Sequence, residues 1–231
     1  MTPAQKIFYS PKLGRADLNM PPDGLPPHVP VHELAYRATS YDVPLWVTHN
    51  RRDGRWNFAG TACVQYTCLD AVAPFAEQLR HENLRTEAEA RTYRATIWQL
   101  QISEGVVVDY STFQKAEEAG FPPEALVDDD FEYCQQEAAR LMSLGAGGVL
   151  SPSAALPGST NLTLFGPRVP IEWSAKVQIA TAIPAQPLAT GQPPDALAER
   201  VRYRGETHSA LAEYLGGQGS RNQDSDPPES R

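Results

Sequence analysis

Four arginines fall between residues 37 and 55 of a chain that is otherwise acidic. Arg37 follows Ala35-Tyr36 in a segment with the character of a buried strand. There it reads either as half of a structural ion pair or as a ligand for an anion. Arg51, Arg52 and Arg55 stand in the loop NRRDGRWNFAG, residues 50–60. Three planar guanidiniums within five residues make either a local anion site or a solvated basic turn. Glu77 lies off the apolar stripe of Val72, Phe75, Ala76 and Leu79, so it faces solvent or a cleft on the far side of its helix. Ser153, in Ser151-Pro152-Ser153-Ala154, has the setting of a turn hydroxyl. The set offers donors for an anion, one carboxylate and one hydroxyl; no member carries a function by itself.

Other chemistries lack their signatures. No Gly-x-Gly-x-x-Gly follows a strand and opens a helix; Gly145-Ala146-Gly147-Gly148 closes a helix before a strand. There is no phosphate-binding loop with Gly-Lys-Ser/Thr, and neither Ser151 nor Ser153 stands in a nucleophile elbow. The five histidines are scattered, and the Cys63-x4-Cys68 spacing is not a zinc motif, so no metal is expected. Twenty Lys+Arg against 28 Asp+Glu give a net charge of −8 in 231 residues, which argues against a nucleic-acid or anionic-membrane coat. Three cysteines, no apolar leader and no long apolar run point to a reducing cytoplasm.

The elements that must position these residues form an α+β pattern without a βαβ repeat. Short strands are expected over residues 33–39, 44–49 and 61–67. Asp70 is expected to cap a helix with Pro74 in its tolerant first turn. Residues 94–103 and 105–110 read as two strands, the first with Trp98, Leu100 and Ile102 on one face. Residues 130–145 form the clearest helix, with Phe131, Cys134, Ala138 and Leu141 as its stripe and Gly145 as its C-cap. Strands follow at 148–150 and 161–165, and 172–183 reads as the last strand of the sheet.

The predicted organisation has four parts. Residues 1–30 hold seven prolines and read as an extended arm. Residues 31–183 form the catalytic body, a mixed, mostly antiparallel twisted sheet with flanking helices. Residues 184–215 are a peripheral helical extension, with short helices at 194–204 and 207–215. Residues 216–231, which contain no aliphatic or aromatic side chain, are expected to be disordered.

In order and spacing, Tyr36-Arg37, GRWN with Gly60, Tyr66-Thr67 with Glu77 eleven residues on, GGVLSPSA at 147–154 and Asn161-Leu162-Thr163-Leu164-Phe165 resemble the RES-domain family. The likeness covers residues 34–173. It implies the toxin of a bacterial toxin–antitoxin pair, with a fold similar to ADP-ribosyltransferase toxins, NAD as substrate, no separate cofactor and a cognate antitoxin protein as partner. Members cleave NAD by phosphorolysis or hydrolysis, or transfer ADP-ribose to a protein; a non-catalytic partner-binding module is the alternative from another class. Carried over by motif, Arg37, Arg55 and Glu77 are the catalytic set. Arg37, Arg55, Tyr66, Ser153 and Asn161 contact the NAD. Two positions depart from the family pattern: Thr48–Asp53 replaces a Gly/Ser-rich loop, and Cys68 stands where Ser is usual.

These residue types suit that chemistry. Nicotinamide leaves neutral from a cationic pyridinium, so no general acid is needed, and one carboxylate suffices where an ordinary glycosidase needs two. Arg37 and Arg55 suit the pyrophosphate, Tyr66 offers a face for stacking, and Ser153 a hydroxyl for a carboxamide or ribose. The missing glycine fingerprint fits a protein that consumes NAD.

Overall fold

The structure is a computed structural model that describes residues 24–172 and 180–223. Its strands are β1 (His28–Thr39), β2 (Val64–Cys68), β3 (Ala95–Asp109), β4 (Gly148–Pro152), β5 (Thr160–Phe165), β6 (Arg168–Pro170), β7 (Thr181–Ile183) and β8 (Ala185–Gly191). Its helices are α1 (Ala73–Glu82), α2 (Glu87–Ala90), α3 (Phe113–Glu118), α4 (Glu132–Ser143) and α5 (Ser209–Gln223), with 3-10 turns at Pro123–Leu126 and Ala198–Arg200.

β3 organises the sheet. Along one edge it pairs with β1, from His28↔Val108 to Thr39↔Thr96. Its other edge takes β8 antiparallel near Ala95–Leu100 and β4 parallel at Val107–Asp109. The hydrogen-bonded order is β1-β2-β5-β4-β3-β8, and the β1–β3 pairing closes the first five strands into a ring. The fold is therefore α+β, with a mixed and mostly antiparallel sheet and flanking helices.

The apolar side chains sort into three clusters that explain the layers. Leu100, Ile102, Val107, Leu150, Leu162 and Leu164 pack together with Val31 and Ala35. α4 lays Cys134, Ala138 and Leu141 against Val108, Tyr110 and Val149. α1 lays Phe75, Ala76 and Leu79 against Ala38, Cys68 and Ile97, and the same cluster includes Leu197, Val201 and Tyr203 from the C-terminal segment. Each fully buried Leu contributes about 1.5–3 kcal/mol. Gly145, at φ +84°, ends α4 as expected, because its N–H and that of Ala146 turn back to Met142 and Leu141.

Several expectations need correction. Residues 44–49 are not a strand, because the Gln65 side chain takes the place of a neighbouring strand. Its amide donates to the Trp46 carbonyl (2.8 Å) and accepts from the Trp46 N–H (3.4 Å). The two strands at 94–103 and 105–110 are one, since Ser103 and Glu104 continue the ladder opposite His32 and Val31. Asp70 does not cap α1: its carboxylate accepts the Val72 N–H in the preceding turn, and Val72 occupies the cap position without a side-chain bond.

The ends differ as well. β1 starts at His28, inside the proline-rich stretch, and tolerates Pro30 at a register shift between Val29 and Val31. Residues 1–23 of the arm lie outside the described residues. The expected last strand falls partly on residues 173–179, also outside them, and its end, β7, pairs with β6 in a separate two-stranded sheet. The main sheet ends instead on β8, beyond the boundary at residue 183, so 184–215 opens with a strand of the sheet. β8 was hard to foresee because it is an edge strand whose residues from Gln186 to Thr190 are exposed. Likewise 194–204 contains only the turn Ala198–Arg200, and α5 runs through Gln223 into the stretch expected to be disordered. Residues 224–231 lie outside the described residues.

Candidate functional site

α1 carries Glu77 at the mouth of the β4–β5 pair. Pro74 stands in the first turn of the helix, and Phe75, Ala76 and Leu79 bury its inner face. Glu77 is half-buried and turned toward the sheet, which sets aside the solvent-facing reading of its off-stripe position. Its Oε1 accepts the Ser153 hydroxyl at 2.7 Å and the Asn161 side-chain amide at 2.8 Å. Asn161 lies in β5 opposite both Ser151 of β4 and Cys68 of β2, and Ser153 follows β4 directly.

Ser153 is fully buried. Its Oγ accepts the N–H groups of Ala155 (3.2 Å) and Leu156 (3.0 Å), so its single proton is committed to Glu77. It is thus a turn hydroxyl and a carboxylate ligand at once. Glu77 Oε2 has no hydrogen bond among the described residues. Asn161 Oδ1 is buried and also lacks a partner there. A fixed carboxylate thus presents one free oxygen beside an unfilled acceptor.

Arg37 is 8% exposed and makes no ion pair among the described residues, which removes the structural-pair reading. Its guanidinium stacks on Trp46 with 3.7 Å to the ring centroid and donates to Gln65 Oε1 at 3.2 Å. Burial pushes its pKa down to about 9, and the groups that oppose this are Cys68, Cys63 and Tyr66. It remains cationic at neutral pH. A buried cation without a carboxylate is costly unless an anion arrives.

The loop of the other arginines divides. Arg51 and Arg52 are exposed, whereas Arg55 turns inward. Arg55 donates to the carbonyls of Ala125 (3.1 Å) and Asp128 (2.7 Å) and lies over the Phe131 ring. Asp53 binds no arginine among the described residues; it accepts the Ala59 N–H and closes the loop. Tyr66 anchors that loop from β2: its hydroxyl donates to Asn57 Oδ1 (2.8 Å) and accepts the Trp56 N–H (3.0 Å). Burial pushes the phenol well above its ordinary pKa. Gly54 is required here, since a Cβ would sit 2.3 Å from the Tyr66 oxygen. The anchored hydroxyl leaves the ring face as what Tyr66 can offer a ligand.

Shared electrostatic neighbours tie the set together. Arg37 and Glu77 both act on the Cys68 thiol, Arg37 and Arg55 on Tyr66, and Arg55 and Glu77 on Arg80. Arg51 and Arg52 do not join the set. Sequence reading missed Arg80 and Asp129. Arg80 follows Glu77 by three residues on the same helix face, which is the signal that was available. It is buried, ion-pairs Asp129, and keeps an unpartnered Nε; burial lowers its pKa to about 10. Asp129 also takes Arg202 at 2.9 Å and the Gly205 N–H at 2.6 Å. Burial opposes ionisation of Asp129, but those bonds hold it below the usual carboxylate range.

Two surface hollows lie to the side. One of about 310 Å³ runs between Val127 and α5, and one of about 590 Å³ lies among Asp53, Phe58, Phe131 and Arg204. Neither is lined by Arg37, Glu77 or Ser153, so the chemistry is assigned on hydrogen bonding and charge. Among the described residues no cluster of three His, Cys, Asp or Glu is placed to hold a metal, and no helix is long and apolar enough to cross a membrane.

The sequence profile of the RES domain matches residues 29–190, nearly the limits of the main sheet. The chain belongs to the RES domain family. The span includes Arg37, Arg55, Tyr66, Glu77, Ser153 and Asn161. No curated protein matches this RES-domain chain. Among solved structures, the M. tuberculosis MbcT–MbcA toxin–antitoxin complex is similar, with a TM-score of 0.53 and 22% identity over 76% of this chain and 91% of that one. At that identity the likeness is one of fold.

Proposed function

We propose that this RES-domain protein breaks the nicotinamide–ribose bond of NAD, with phosphate or water accepting the ADP-ribose, on a fold of the ADP-ribosyltransferase type. The observation that carries the reading is the Glu77 carboxylate, held through Oε1 by Ser153 and Asn161 with Oε2 unoccupied among the described residues. Arg37, buried without a carboxylate, supports an anionic substrate.

In this reading the C1′–N bond breaks with its electron pair going to nicotinamide, which departs neutral. Positive charge develops at C1′ and on the ring oxygen, where Glu77 stabilises it. A new C1′–O bond forms to the acceptor. Phosphate dianion has an unprotonated oxygen for this step; water passes a proton to Glu77 Oε2 or solvent. Arg37 and Arg55 take the pyrophosphate, the Tyr66 ring stacks on nicotinamide, and Asn161 Oδ1 accepts a substrate O–H or N–H. The protein acts in the bacterial cytoplasm, and its partner is an antitoxin protein, as the complex of similar fold suggests.

The test is incubation of pure protein with NAD, with and without phosphate, and identification of the products. Nicotinamide and a phosphorylated or free ADP-ribose are expected, and Glu77→Gln lowers turnover by roughly 10²-fold or more. Absence of nicotinamide release, or full turnover by Glu77→Gln, refutes the assignment. A labelled protein band with tagged NAD would instead identify a protein-directed transferase.

A further inference from the structure

The chain that follows the family-matched region returns to the site. Arg202 donates its backbone N–H to the Ala155 carbonyl (2.8 Å), and its guanidinium binds Asp129, which in turn binds Arg80 one turn beyond Glu77. A few residues on, buried His208 places Nε2 3.0 Å from the Ser153 carbonyl oxygen. His208 also precedes α5, and its Nδ1 accepts the Leu211 N–H at 3.3 Å. Because Nδ1 is the acceptor, the ring proton resides on Nε2, and the imidazole donates it to Ser153. One neutral side chain therefore caps a helix with one nitrogen and grips the serine turn with the other.

We propose that His208 is a positioning residue, whose Nε2–H fixes the Ser153 turn so that the serine hydroxyl meets the Glu77 carboxylate. The inference rests on the reading of Glu77 and Ser153 as working parts of the site. β4 fixes the chain up to Pro152, and the backbone and hydroxyl of Ser153 then bond mostly within their own turn. Its N–H bonds Ser159 and its Oγ accepts from Ala155 and Leu156, all within the loop 153–159. Among the described residues, the hydrogen bonds from beyond that loop are the Glu77 bond itself, the His208 bond to the serine carbonyl and the Arg202 bond to the carbonyl of Ala155, while Ala154, Ala155 and Leu156 pack into the core on either side. A small tilt of the turn moves Oγ off Glu77 and leaves the carboxylate held by Asn161 alone. Burial and the nearby Arg202, Arg55 and Arg80 lower the imidazole pKa against the opposing pull of the Ser153 carbonyl, which keeps the ring in the neutral form that the Leu211 bond requires.

Two substitutions separate gripping from capping. His208→Asn retains an oxygen that caps α5 and lacks the reach to the Ser153 carbonyl. His208→Gln carries an amide N–H near the position of Nε2 and restores the donor. Hydrogen exchange of the Ala155 and Leu156 amides, with amides of α4 as control, is expected to quicken about tenfold in His208→Asn and to return toward wild type in His208→Gln. NAD turnover is expected to follow: kcat falls about tenfold in His208→Asn with KM within about twofold, and recovers in His208→Gln.

Unchanged exchange in the 153–156 turn of His208→Asn overturns the proposal, and so does equal behaviour of the Asn and Gln variants. If wild-type protein releases no nicotinamide while exchange follows the expected order, the reading of the reaction falls and the positioning of Ser153 stands. Normal kcat in His208→Asn, with wild-type NAD cleavage intact, removes the role in the reaction.

Discussion

Arg37→Met should make the protein more stable while removing the NAD binding proposed above. The guanidinium is buried, and the fall of its pKa to about 9 corresponds to about 5 kcal/mol of unfavourable charge burial. Against this stand the bond to Gln65, worth about 1.5–3 kcal/mol for a charged donor, and the stack on Trp46, worth up to about 2 kcal/mol. Methionine fills similar space, keeps contact with the indole and needs no counter-ion. Gln65 Oε1 still accepts the Trp46 N–H, so no new buried acceptor is created. The balance favours the variant by about 1 kcal/mol, which for a domain of this size raises Tm by roughly 2–4 °C. Scanning calorimetry measures the change, and titration with NAD in the same instrument shows whether binding is lost. Destabilisation by about 3 kcal/mol or more would mean that a group of the protein already compensates Arg37. Wild-type affinity for NAD in a more stable variant would refute the link between the unpaired charge and the substrate.

The other predictions are narrower. Ser153→Ala frees the Ala155 and Leu156 amides and strips one donor from Glu77; a loss of about 1–3 kcal/mol in urea unfolding and at least a tenfold fall in turnover are expected. Asp129→Asn leaves Arg80 and Arg202 facing each other without a carboxylate, and should cost about 3 kcal/mol or more in the same measurement. Stability should also fall with acid in two steps. His208 has a folded pKa below its ordinary 6.5, so its contribution is complete above that pH and declines as pH drops toward the folded value. Asp129, depressed below 3.8, adds a second loss at lower pH. His208→Gln should flatten the first step and leave the second.

Much of the sheet was legible from residue type, because β-branched runs and apolar alternation mark β2, β4 and β5 directly. The failures have two causes: a backbone satisfied by a side chain at Trp46, and an exposed edge strand at β8. Trp46 looked like strand because it is apolar, yet its peptide groups bond to the Gln65 side chain, which no periodicity reveals. β8 presents its exposed face to solvent and so lacks an apolar pattern. For the site, motif order gave Arg37, Glu77, Ser153 and Asn161, and the structure joins three of these through Glu77 Oε1. Arg55 and Tyr66, also named by motif order, make their hydrogen bonds to the carbonyls of Ala125 and Asp128 and to the Trp56–Asn57 loop respectively. Arg80 carried only its helical spacing from Glu77 as a signal, and Asp129 and His208 carried none, because each of the three matters through a partner more than forty residues away.

All three cysteines are free and buried, with burial raising their thiol pKa values, and Cys68 faces Asn161 across the β2–β5 ladder. A thiol in that condition reacts with an alkylating reagent only when the fold around it opens. The protein therefore carries its own clock. Labelling of Cys68 dates the parting of the strands beneath Glu77, and labelling of Cys134 dates the release of α4. Comparing the two rates tells whether the end of the molecule that carries Glu77 breathes alone or only as the whole fold comes apart.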